Sequence, residues 1–192
     1  MAPATREVPR WALALPLIVV IAAVATGAAL VIYSRSARTV TVTGGIAAVG
    51  RPAPLFSTWD LNGNKVSLGD LRGHPVLLTF WATWCTACRE ELPAVQQLRD
   101  GNQSGGLRVL AVNYRETDIG SMRTYLAGLH VDLVAVIDPD AAIASAYGVD
   151  IGLPVVVLLD RSATVSQILI GAVPSATLEA AVARVVGGGT SP

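Results

Sequence analysis

Apolar and polar positions follow two different regimes along this chain. From Trp11 to Tyr33 the run WALALPLIVVIAAVATGAALVIY carries no charge. A helix rises about 1.5 Å per residue, so a run of this length crosses a hydrocarbon core of roughly 30 Å. Trp11 and Tyr33 close its ends, where amphipathic rings favour a membrane interface. Soluble core helices are rarely apolar all round. A cleaved leader is the main rival, but the run exceeds the usual leader core of about 7–15 residues, and no clean A-x-A site follows it. The expectation is an uncleaved transmembrane anchor over 11–33, preceded by a cytoplasmic stub over 1–10. Arg6 and Arg10 before the run, and Arg35 and Arg38 after it, leave the positive-inside rule nearly tied. Residues 34–50, SRSARTVTVTGGIAAVG, are small and polar and read as a linker. A strand at TVTVT is the alternative there.

From Arg51 the pattern is that of a globular domain, expected over 51–187 with a flexible tail over 188–192. LFSTWD, NGN and KVSL predict a β-hairpin around an Asn-Gly turn. PVLLTFWA (75–82) is nearly continuously apolar, as a strand covered on both faces requires. A helix is expected over 85–100, a buried strand over 107–114, a helix over 119–130 and a strand over 132–138. A short helix over 141–149 follows. PVVVLLD and VSQILIGA then predict two strands joined by a tight turn. SATLEAAVARVV predicts a terminal helix capped by Ser175. Strands alternating with helices, ending in a strand–strand pair, predict an α/β fold: a mixed central sheet with a parallel centre and an antiparallel edge, flanked by helices.

Composition narrows the function classes. Fourteen cations balance 14 anions over 192 residues, so no basic field attracts nucleic acid. Two cysteines permit at most one intramolecular disulfide, which excludes a disulfide-stapled scaffold.

Those two cysteines, Cys85 and Cys88, lie where a buried strand runs into a helix. A disulfide between them closes a very small ring and does little for global stability. Zinc requires about four ligands, and the two histidines, His74 and His130, are not at ligand spacing. A redox dithiol is the reading that remains strongest beside a metal site or a purely structural bridge. At a helix N-terminus Cys85 faces unpaired N–H groups and the positive end of the dipole, which lowers its pKa below the free value of about 8.5. Cys88, nearly one turn deeper on the same face, reaches the Cys85 sulfur. Cys85 is therefore expected to attack a substrate disulfide, and Cys88 to resolve the mixed disulfide.

The stretch FWATWCTACREELP resembles the thioredoxin superfamily, in particular its membrane-tethered TlpA/ResA/CcmG-type thiol–disulfide oxidoreductases. The resemblance covers about residues 48–187. It includes GRPAPLFSTWDLNGNKVSLGDLRGHPVLLTFWATWC, an opening shared with the AhpC/TSA redoxin branch, and continues through YGV and GLP to VVVLLD. It implies a thioredoxin-like fold and dithiol–disulfide exchange on extracytoplasmic protein substrates. It also implies reduction of the cytochrome c maturation kind and recharging by an integral membrane electron donor of DsbD/CcdA type. The alternatives are a disulfide-forming oxidase, a peroxiredoxin-like peroxidase and a non-enzymatic tethered chaperone. No cofactor or metal is implied. By this resemblance Pro154 is a cis-proline facing the dithiol, and Leu153 offers its backbone to the substrate. Thr86 and Ala87, between the cysteines, lie against the substrate, and Trp84 stands beside the nucleophile. Glu91 matches an acidic residue near the dithiol, where it serves to move the proton of Cys88 and raise its pKa.

Three departures qualify the pattern. Thr79 stands where thioredoxins themselves carry a buried Asp, which shifts proton handling to Glu91. The Thr86-Ala87 dipeptide lacks the proline common in the family. A peroxiredoxin needs a Thr three residues before its cysteine, within P-x-x-x-T-x-x-C, and here Ala82 and Leu78 occupy those places.

Overall fold

The computed structural model describes residues 19–29 and 39–188. They divide between Thr39 and Val40 into two units. In the first, residues 19–29 are helical (α1), and Val19, Val20, Ile21 and Val24 are exposed. The rest of the expected span over 11–33, the stub and most of the tail lie outside the described residues. Among the described residues no helix is long and apolar enough to cross a membrane.

The second unit begins with a three-stranded antiparallel sheet of β1 (Thr41–Thr43), β2 (Leu55–Trp59) and β3 (Lys65–Ser67), in that order. Part of the expected linker thus forms a strand, the alternative at TVTVT. β1 pairs with β2 through Val42 and Phe56, and Ala47 is buried beyond it. The β2–β3 hairpin turns through Asn62-Gly63, as expected, in a loop longer than two residues. Asp60 N–H donates to the Asn64 carbonyl at 2.8 Å, with Gly63 in the left-handed region at φ 86°. This is the longer hairpin loop in which a left-handed glycine ends the turn. The Asp60 carboxylate selects it by accepting Asn62 N–H at 2.9 Å and Asn64 N–H at 2.7 Å.

The second sheet has the order β6-β5-β4-β7-β8. Its strands are β4 (Val76–Trp81), β5 (Arg108–Tyr114), β6 (Val134–Asp138), β7 (Val155–Leu159) and β8 (Val165–Ile170). β4, β5 and β6 are parallel, while β7 is antiparallel to β4 and β8 to β7. Every residue of β4 and β7 is buried, because both faces are covered. The period of two sorts β4 between two cores. Leu77 and Trp81 pack with Leu92 and Val95 of α2 (Thr86–Gly101), Met122 of α3 (Ile119–Gly128), and Leu178 and Val182 of α5 (Ser175–Val186). Val76, Leu78 and Phe80 pack on the other face with Phe56, Tyr147 and Ile143 of α4 (Ala142–Ala146). The N-cap of α5 is Pro174, not Ser175, and no side chain bonds the cap. Pro174 is in extended backbone at ψ 141°, and its carbonyl accepts Thr177 N–H at 2.9 Å and Leu178 N–H at 3.2 Å.

The Tyr147 hydroxyl ties the end of α4 to the chain just before β2 by donating to the Pro54 carbonyl at 2.8 Å. Asp138, fully buried at the end of β6, accepts Ile143 N–H at 3.1 Å and Ala144 N–H at 2.8 Å, and so starts α4.

Candidate active site

β4 ends at Trp81, and the chain turns through Ala82–Trp84 into α2. Cys85 N–H donates to the Ala82 carbonyl at 3.1 Å, which closes that turn. Cys85 is the N-cap of α2, in extended backbone at φ −84° and ψ 104°. Its Sγ accepts the Cys88 N–H at 3.1 Å. The Cys85 sulfur is therefore itself the capping atom, and any negative charge on it lies at the positive end of the helix. The structure is the oxidised form, with Cys85 and Cys88 joined by a disulfide and their Cα atoms 5.3 Å apart. Cys85 is 6% exposed and Cys88 1%, so the outer sulfur is the one a partner reaches first.

Glu91, three residues beyond Cys88, is buried with the α2 core residues. Thr79 Oγ1 donates to its Oε1 at 3.0 Å. Its Oε2 is buried without a hydrogen-bond partner. Burial raises the Glu91 pKa to about 7, and the Thr79 hydrogen bond opposes that rise. Glu91 thus exchanges a proton near neutrality, inside the protein. With Ala87, Ala94, Pro174 and Leu178 it lines a cavity of about 180 Å³. Glu90, its neighbour, is exposed.

The Leu153–Pro154 peptide bond is cis. Val155 pairs with Phe80, so Pro154 stands at the end of the sheet where β4 leaves for Cys85. Leu153 is half-buried against the apolar cluster that contains both cysteines. Thr86 is exposed and Ala87 half-buried. Trp84 is 64% exposed and meets the Tyr114 ring edge-on, centroids 6.4 Å apart. The eight positions named from sequence thus gather at one end of the five-stranded sheet and the start of α2.

Sequence reasoning missed two features. Thr79, at the position where the resemblance expects an acid, is the hydrogen-bond partner of Glu91. Asn113 and Glu116, at the exit of β5, reach the loop before Cys85: Thr83 N–H donates to Glu116 Oε2 at 2.8 Å, the Thr83 hydroxyl donates to Oε1, and Asn113 Nδ2 donates to Oε2 at 2.7 Å. A signal existed in LRVLAVNYRET, where an Asn breaks an apolar strand three residues before an acid.

Residues 49–168 match the AhpC/TSA family. The chain belongs to that family. The thiol-disulfide oxidoreductase ResA of Geobacillus kaustophilus is 35% identical over 132 residues, 69% of this chain and 75% of that protein. ResA of Bacillus subtilis is 33% identical over 122 residues, 64% of this chain and 67% of that protein. Among solved structures, a candidate thiol:disulfide interchange protein DsbE from Chlorobium tepidum superposes with a TM-score of 0.68 at 31% identity, covering 73% of this chain and 99% of that one. Within the thioredoxin superfamily this AhpC/TSA member is of TlpA/ResA type, and it is a thiol–disulfide oxidoreductase.

Proposed function

We propose that this AhpC/TSA-family protein reduces disulfides of extracytoplasmic proteins, as in cytochrome c maturation, from a membrane anchor formed by residues 11–33. The boundaries proposed with it are a stub over 1–10, a linker that ends at Thr39 where β1 joins the folded unit, a catalytic domain to residue 187 and a tail over 188–192. The uncharged apolar run supports the anchor, and the ResA relatives support the activity. Two electrons reach the Cys85–Cys88 pair from an integral membrane dithiol carrier of DsbD/CcdA type.

In the forward step the Cys85 thiolate attacks one sulfur of the substrate disulfide. That S–S bond breaks, a mixed disulfide forms, and the departing substrate sulfur takes up a proton. Cys88 then gives its proton to Glu91 and attacks the Cys85 sulfur. The mixed disulfide breaks, the second substrate thiol leaves protonated, and the Cys85–Cys88 disulfide seen here remains. Leu153 and Pro154 present backbone to the substrate chain, with Trp84, Thr86 and Ala87 forming the rest of the contact. The observation that carries the exchange chemistry is the Cys85–Cys88 disulfide at the N-terminus of α2, with the Glu91 carboxyl buried one helical turn beyond Cys88.

The test is the reduction potential of Cys85/Cys88 in the full chain, equilibrated with glutathione or dithiothreitol. A value near that of thioredoxin, about −270 mV, supports a reductase, and one near that of DsbA, about −120 mV, makes the protein an oxidant and overturns the direction.

A further inference from the structure

We propose that Glu116 is a positioning residue that sets the Trp84 indole as a docking ledge for macromolecular substrates. This rests on the reading that the substrates are proteins.

The exits of β4 and β5 lie side by side, since Trp81 pairs with Asn113 in the parallel ladder. Beyond that pair the two chains are knitted residue by residue. Tyr114 takes the edge of Trp84. Arg115 follows in the left-handed region, φ 60°, with its N–H on the Asp138 carbonyl at 3.1 Å and its guanidinium 5.2 Å from the Tyr114 ring centroid. A non-glycine residue adopts that backbone only when its surroundings hold it there. The reversal at Arg115 turns Glu116 back over the strand exits, where its carboxylate takes three donors: the backbone and hydroxyl of Thr83 and the amide of buried Asn113.

Trp84 comes next after Thr83. At 64% exposed it has little packing of its own; its recorded ring contact is Tyr114. The backbone at Thr83 therefore governs where the indole stands. Charge-assisted bonds to a carboxylate are stronger and more directional than neutral ones; two of them hold Thr83, and the third, from Asn113, holds the carboxylate. A large aromatic exposed beside a disulfide, on a held backbone, is the kind of rigid anchor that macromolecular contacts use. A small disulfide compound reaches the outer sulfur without touching it.

The clamp therefore acts on recognition of large substrates and leaves the sulfur chemistry alone. The experiment uses the full chain with insulin as the protein disulfide and hydroxyethyl disulfide as the small one. In both assays the chain passes two electrons and two protons to the substrate, and dithiothreitol returns them. Thr83→Val and Glu116→Gln should each raise KM for insulin by about tenfold, with kcat and the hydroxyethyl disulfide rate held within about twofold. Thr83→Ser, which keeps both donors, should stay within about twofold of the parent on insulin. The double variant should be no worse than the worse single one, because both remove the same clamp.

An unchanged KM for insulin overturns the inference. So does an equal fall on both substrates, which is the mark of a merely structural role. Thr83→Val deletes a single hydroxyl, so it carries the test if Glu116→Gln does not fold. If the parent chain turns over hydroxyethyl disulfide but not insulin, the protein-substrate reading fails and takes this inference with it; equal KM values in parent and variants sink the inference alone.

Discussion

Thr79 Oγ1 lies 3.0 Å from Glu91 Oε1, joining the middle of β4 to α2 beneath the disulfide helix. Thr79 faces α2 because it shares the parity of Leu77 and Trp81. Its ladder neighbours, Ala111 and Val156, are apolar. The carboxyl is therefore buried with one hydroxyl as its hydrogen-bond partner, and burial raises its pKa against that bond.

The first prediction is a pH-dependent stability. Glu91 rises from 4.5 to about 7 on folding. Between those values the folded chain keeps a proton that the unfolded chain has lost, so stability falls as pH rises through the window and levels off above it. The difference in unfolding free energy between the parent and Glu91→Gln should change by about 3 kcal/mol across this window. Urea denaturation of both oxidised proteins over that range checks it. A difference independent of pH would mean that the carboxyl does not titrate there.

The hydrogen bond from Thr79 favours the charged carboxylate. Thr79→Val removes it and keeps the shape, so the Glu91 midpoint should move to higher pH. A carboxyl carbon-13 NMR titration reads the midpoint directly. A downward move would contradict the assigned role of Thr79.

The two sulfurs should separate cleanly. Cys88→Ser retains the attacking thiol and loses the resolving one, so a mixed disulfide with a protein substrate should accumulate on a non-reducing gel. Cys85→Ser should form none and drop exchange to the uncatalysed rate. Accumulation in the Cys85→Ser variant instead would reverse the two roles.

Asp138 holds two buried N–H groups of α4, and its own burial pushes its pKa up despite those bonds. Asp138→Ala leaves both donors without an acceptor while relieving a desolvated carboxyl. The net loss should be about 2 kcal/mol. The urea midpoint should fall with an unchanged slope. An unshifted midpoint would show that water replaces the carboxylate.

Where element types were legible in advance, neighbouring residues carried the signal. PVLLTFWA is apolar at every step because β4 is covered on both faces, and FWATWCTAC announces a strand, a turn and a helix within nine residues. Turn and cap chemistry was harder to read. Ser175 matches the composition of an N-cap, yet Pro174 holds that position. Asn62-Gly63 located the hairpin, but the length of its loop depends on the Asp60 carboxylate. In each case a residue next to the motif, Pro174 or Asp60, takes the deciding position.

By itself the sequence determined that two cysteines meet at the start of a helix, because a cysteine three residues from another at a strand-to-helix junction is a local geometry set by helical rise and the helix terminus. Only the tertiary structure decided how that pair is served. Glu91 is buried because α2 lies against β4, and Glu116 clamps Thr83 because two strand exits stand side by side. Such contacts join residues 12 and 33 positions apart. They depend on sheet register and on which helix face packs inward, quantities that become definite only when the whole core closes.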